Sequence, residues 1–367
     1  MQLWLLLLTV LFHVQVFAQS DTCNLGKGKF ALMTNGGYII PHREEMRHLI
    51  QGHSVGAAIQ FNQKTQGTKA WHKAYNYPEL GLELAFNTTG NREQLGDQIA
   101  LSYMIHLPLH PFREQEKKHA FKHYLSLGLG AGYATKKWEL RDNTQSLVLG
   151  SHLNTSVMLQ YGIVLLQTEH IEFRTGLRLH HLSNGAFQLP NLGTNNFLYF
   201  ISLHQRRNDE MKLIREFTPF SPKWNTWIGL TGGAKEISPP GQKKYPSLTL
   251  HLLQERHQTF KSSFGLGLDM MFNSAVKALR ERNVGADVAW KDSARLGAVV
   301  SYGIHFNDFQ LRIQQGVYVL NTWSGDGSLY HRFSLRYLIK DHLTVQVGLK
   351  THFAKADHAE IGIGWNL

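Results

Sequence analysis

The chain has 367 residues, 38 Lys and Arg against 27 Asp and Glu, a formal charge of +11 and a single cysteine. One cysteine excludes an internal disulfide framework and a thiolate metal cluster. Beyond the first eighteen residues no apolar run is long enough for a membrane-crossing helix, which excludes a multi-span helical protein.

The N-terminal block "MQLWLLLLTVLFHVQVFA" (residues 1–18) carries no charge and ends in a small residue before Gln19-Ser20. It reads as a signal peptide that lacks the usual basic start, with a mature chain beginning near Gln19; a membrane anchor is the competing reading. Cys23 follows "AQSDT", which is unlike a lipoprotein cleavage box, and reads as a free thiol. In an exported chain the positive charge suits anionic lipid phosphates better than nucleic acid. The 21 histidines are scattered, with no HExxH and no paired metal spacing. No metal and no cofactor are expected, and no nucleic-acid partner.

From Lys29 onward the dominant signal is period-two alternation. In "YLSLGLGAGY" Leu125, Leu127, Leu129 and Ala131 share one face, with Ser126, Gly128, Gly130 and Gly132 on the other. Phe333, Leu335 and Tyr337 alternate with Ser334 and Arg336, and Val345, Val347 and Leu349 alternate with Gln346, Gly348 and Lys350. The alternating segments are about ten residues long, as a tilted bilayer-crossing strand requires. Their second face is rich in Gly, Ser, Arg, Gln and Lys, which suits a wet lumen better than a sandwich core. The last strand carries Trp365, although the chain ends on Leu367 rather than an aromatic. The expected fold is therefore all-β, a transmembrane antiparallel barrel of roughly 12–16 strands, best counted as about 14. Those strands begin between Lys29 and Tyr330, and two more are possible near His342 and Glu360. The connectors Arg206–Lys223 and Asn273–Ala294, the second with room for a short helix, read as long loops of a single barrel spanning 19–367.

One stretch stands apart: "HHLSNGAFQLPNLGTN", His180 to Asn195. In the preceding strand Phe173, Thr175, Leu177 and Leu179 share the apolar face, and the next residues on that face are His181 and Ser183. After the turn, Asn195 begins the more apolar stripe of Phe197, Tyr199, Ile201 and Leu203. If the two strands pair, His181, Ser183 and Asn195 meet on the lipid-facing outside, where polar groups are costly unless interfacial or functional. A serine needs a base to become a nucleophile, and the base needs a partner on its other nitrogen. Ser183, His181 and Asn195 can fill those roles, with Gly185, Asn191 and Asn184 as candidate oxyanion-hole residues. An Asn- and Gly-rich polar hairpin turn reads the same way locally, and the residues alone leave both readings open.

His-x-Ser-Asn followed by Pro-Asn-x-Gly, His181 to Gly193, resembles the lipid A 3-O-deacylase family of PagL-type outer-membrane barrels. The resemblance implies Ser183 as nucleophile, His181 as base and Asn191 at the oxyanion hole. That family can carry Glu two residues beyond the Gly, where Asn195 stands here. The same stretch is similar to outer-membrane phospholipase A, which has His-x-Ser-Asn-Gly and an Asn twelve residues after the Ser, matching Asn195. The calcium-linked Arg and Asp of that family are replaced by Ala186, Phe187 and Gln188, so calcium is not implied. "GGYIIPHREEM" and "WHKAYNYPELGLEL" look like segments of larger deacylase-like proteins of Bacteroidetes-type bacteria. Residues 24–210 thus resemble the deacylase barrel, and 220–367 read as added strands of a wider one. The resulting expectation is a serine esterase of the bacterial outer membrane acting on lipid A or another outer-leaflet lipid. The alternatives are a phospholipase, or a porin-like barrel without catalysis.

Overall fold

A computed structural model describes residues 28–109, 122–206, 214, 219–353 and 355–367. The expected signal peptide and Cys23 lie outside the described residues. Among the described residues sixteen antiparallel strands form two closed barrels of eight.

The first barrel runs β1 (Lys29–Ile39), β2 (Ser54–Lys64), β3 (Glu79–Thr88), β4 (Asp97–Pro108), β5 (His123–Ala134), β6 (Leu153–Gln167), β7 (Ile171–Ser183) and β8 (Thr194–Gln205). It closes where β8 pairs with β1, Leu203 opposite Leu32 and Leu198 opposite Gly37. Leu32, Ile59, Leu84, Leu101, Val157 and Leu177 project from its outer surface and are exposed. The opposite parity is polar and buried: Gln60, Glu83, Gln160, Arg178 and His180. Arg178 meets Glu83 through two nitrogens at 2.8 and 2.6 Å and donates to Gln160 Oε1, and Gln60 completes the cluster with a bond to Glu83. A charge in the lumen is tolerable only with such partners. Met33, Met104, Met158 and Phe200 fill an adjoining apolar layer. An apolar outside around a polar inside is the inverse of a soluble sandwich and the arrangement of a lipid-embedded barrel.

The second barrel runs β9 (Lys223–Lys235), β10 (Tyr245–His257), β11 (Ser262–Asn273), β12 (Ala294–Phe306), β13 (Phe309–Asn321), β14 (Leu329–Lys340), β15 (Leu343–His352) and β16 (Lys355–Asn366). It closes where β16 pairs with β9, Ile363 opposite Leu230. Leu250, Leu266, Val300, Ile313, Phe333 and Ile363 face outward. Inside, Arg332 pairs with Asp269 and Glu360, and Arg312 and Arg336 with Glu255. The Arg336 guanidinium lies 3.5 Å from the Trp227 ring centroid, a cation–π contact inside the barrel.

The expected antiparallel barrel architecture of roughly 12–16 strands is present at sixteen, two above the best count of about fourteen, while the single wide barrel is corrected. Both extra strands, β15 and β16, are present, giving sixteen. Each run of eight closes on itself, so residues 220–367 form a separate barrel instead of widening the first. Alternation marks where strands lie but not which edges join, because β8 returning to β1 and β8 continuing to β9 leave the same local pattern. The connector between β11 and β12 does hold a helix, Ser274–Val284. Asn273 Oδ1 caps it by accepting from Ala275 N, and Gly285 ends it at φ +71°.

Candidate active site

β7 and β8 pair without a bulge at their turn end, and His181 stands directly opposite Asn195. Opposed residues put their side chains on one face of the sheet. That face is the outer one: Leu177, two places before Leu179 on the stripe of His181, and Tyr199 of β8 are 46% and 51% exposed. Arg178, His180 and Asn196, of opposite parity, are buried in the lumen. The lipid-facing parity inferred for His181 and Asn195 is thus what the register shows.

His181 Nδ1 and Asn195 Oδ1 are 2.6 Å apart. With the amide in this orientation its oxygen accepts, which places the proton on Nδ1 and leaves the lone pair on Nε2. Ser183 ends β7, opposite Thr155 of β6, and is 8% exposed. Among the described residues no hydrogen bond joins its Oγ to His181. Both side chains border Gly193. A Cβ there would lie 2.8 Å from His181 Cε1 and 3.4 Å from Ser183 Cβ, and the backbone has φ +77°. Glycine therefore meets both a steric and a conformational demand at this position. Gly193 N donates to Val148 O at 2.8 Å, which seats the start of β8 on the loop between β5 and β6.

The rest of the turn is fixed by amides. Asn191 Oδ1 accepts from Asn184 N at 2.9 Å, which turns its own NH2 group the other way. Asn184 Nδ2 donates to Ser151 Oγ at 2.9 Å, and Ser151 Oγ donates to Leu153 O. Both Asn184 groups are thus engaged in holding the turn. Gly185 and Ala186 have φ +64° and +61°; for alanine that is a strained conformation, costing on the order of 1 kcal/mol. Segment 185–189 belongs to the second compact unit, in which Gly185 O accepts from Ala359 N.

Sequence reasoning missed His42. Its Nδ1 lies 3.0 Å from Asn195 Nδ2 and its Nε2 lies 3.1 Å from Leu192 O. The only available signal was that the Asn195 amide, having given its oxygen to His181, needs an acceptor for its NH2 group. Nothing local points from position 195 to position 42.

Residues 55–204 match the family described as lipid A 3-O-deacylase (PagL). Over those residues the first barrel is similar to that family. In the first barrel the match covers β7, its turn and nearly all of β8, while β1 and His42 precede it. Residues 224–367 match the acyloxyacyl hydrolase C-terminal domain, a span that holds nearly all of the second barrel. No curated protein matches. Among solved structures, the outer membrane enzyme PagL is similar at 15% identity over 47% of this chain and 97% of its own, with a TM-score of 0.31. Two mutants of the Rh. blastica porin are similar at 7% identity over 93% of this chain and 99% of theirs, each with a TM-score of 0.18.

Proposed function

We propose that the protein is an outer-membrane serine esterase that removes an ester-linked acyl chain from lipid A. The observation that carries the reading is the 2.6 Å bond from His181 to Asn195 on the outer, lipid-facing surface of a barrel similar to the deacylase family. The lipid's acyl ester can approach that face from within the membrane, without entering the lumen.

In this reading His181 Nε2 takes the Ser183 hydroxyl proton as Oγ bonds to the acyl carbonyl carbon. Asn195 holds the Nδ1–H and so the ring. Being neutral, it stabilises the imidazolium less than a carboxylate would. The tetrahedral oxyanion is met by the Asn191 NH2 group and the Gly185 N–H, while Asn184 keeps the turn in shape. Collapse breaks the ester, and the sugar alkoxide leaves with the proton from His181. Water then attacks the acyl-enzyme with His181 again as base, releasing the fatty acid and restoring Ser183. Export by residues 1–18 would deliver the chain to this membrane.

One observation favours a phospholipase on the same residues: the third member is an amide, as in outer-membrane phospholipase A. A channel is disfavoured by the buried, bidentate Arg178–Glu83 pair across the first lumen. Mass spectrometry of lipid A and phospholipids incubated with folded wild type and Ser183→Ala separates the three. Loss of one acyl mass from lipid A, absent in the variant, is the expected result. Lysophospholipid would transfer the site to the phospholipase class, and no release from either would remove the esterase.

A further inference from the structure

We propose that His42 is a positioning residue that selects the orientation of the Asn195 amide and thereby the tautomer of His181. The inference rests on the Ser183–His181–Asn195 assignment and deepens it.

An amide in the third position poses a problem that a carboxylate does not. Either carboxylate oxygen accepts from the imidazole, whereas an amide does so in only one of its two flipped orientations. With the NH2 group turned to His181, Nδ1 would have to accept, the ring proton would move to Nε2, and no lone pair would face the serine. The hydrogen bonds around His42 decide between the two. Leu192 O can only accept, so His42 Nε2, 3.1 Å away, carries the proton. In the neutral ring His42 Nδ1 is then a bare acceptor, and the group 3.0 Å from it is the Asn195 NH2. That leaves Asn195 Oδ1 for His181 Nδ1–H at 2.6 Å and exposes Nε2 as the base. The series starts at a backbone carbonyl, whose polarity cannot be reversed, so each later donor and acceptor follows from it.

The backbone holds His42 in place for this. Ile40 N donates to Asn195 O at 2.8 Å and His42 N to Ile40 O at 3.0 Å, which straps the segment after β1 to the start of β8. The helical turn Glu44–Leu49 follows, with Met46 and Leu49 buried in an apolar cluster with Ile39, Leu95 and Ala134.

The test is steady-state lipid A deacylation by His42→Phe, His42→Gln, Asn195→Asp and the double variant His42→Phe/Asn195→Asp. His42→Phe keeps a ring but not the acceptor, and is expected to lower kcat about tenfold or more with KM unchanged. His42→Gln, which can accept from Asn195 and donate to Leu192 O, restores most of the rate. With Asn195→Asp in place, His42→Phe costs less than about twofold, because a carboxylate needs no orienting partner. Full activity of His42→Phe, or an equal loss in both backgrounds, overturns the proposal, since the second is what a merely structural role gives. Nitrogen-15 histidine NMR of the folded protein reads the His181 tautomer whether or not substrate turns over, with the signal assigned by its loss in His181→Gln. An Nδ1–H ring in wild type that becomes mixed in His42→Phe is expected, and an unchanged ring contradicts it. Absence of Ser183-dependent release in wild type would instead overturn the triad reading beneath the proposal.

Discussion

The two barrels place similar chemistry on opposite sides of the same kind of wall. In the second barrel Thr231 Oγ1 lies 2.9 Å from His251 Nε2, and His251 Nδ1 lies 2.7 Å from Asp269 Oδ1. That hydroxyl–imidazole–carboxylate series is better formed than Ser183, His181 and Asn195 in the first. Yet Thr231, His251 and Asp269 are each at most 2% exposed. Asp269 is further bound by Arg332 and by the Tyr330 hydroxyl. The inner series satisfies buried polar groups, and a lipid ester has no route to it. On the first barrel the hydrogen bonds are fewer, but the parity of β7 and β8 turns them toward lipid. Hydrogen-bond geometry alone does not make a site; the face on which it sits decides what can reach it.

The contrast can be broken most sharply at the hydroxyls. Ser183→Ala should lower lipid A deacylation by about 10^4-fold or more, whereas Thr231→Val should leave it within about twofold, read as kcat/KM on refolded protein. The lumen pairs should matter to stability. Glu83→Leu strips Arg178 of its carboxylate and should cost about 3–5 kcal/mol. Asp269→Leu should cost more, because it strands the His251 ring and the Tyr330 hydroxyl as well as one side of Arg332, which keeps Glu360. Urea unfolding of each variant in detergent measures the difference, and equal losses would contradict the assignment of partners. Asn195→Leu should reduce kcat about a hundredfold with little change in unfolding midpoint. The smallest effect is expected at Gly193→Ala, where the added methyl meets His181 and the positive φ. There kcat should fall about tenfold and stability by about 1 kcal/mol.

Much of this was legible in the sequence where the information is local. The starts of β1, β3, β4, β5, β7 and β10 at Lys29, Glu79, Asp97, His123, Ile171 and Tyr245 fall where alternation begins. The outward face of His181 follows from counting by twos along β7, which needs no knowledge of its neighbours. What the sequence hid depends on distant partners. Closure of β8 on β1 joins residues such as Leu203 and Leu32, and Arg178 finds Glu83 across the lumen. His42 reaches Asn195 from the far end of the first barrel's sequence, through a loop with no periodic pattern of its own. Periodicity assigns a face to each residue, but only the closed sheet assigns it a partner.

The most direct test of the central claim, an activated serine on the outer face of the first barrel, is reaction of the folded protein with a serine-directed fluorophosphonate, followed by mass spectrometry of the intact chain and its peptides. The account predicts one adduct, on the peptide holding Ser183. It should be lost in Ser183→Ala, slowed strongly in His181→Gln and unchanged in Thr231→Val. A folded protein that takes no label, or takes it at Thr231, would contradict the account.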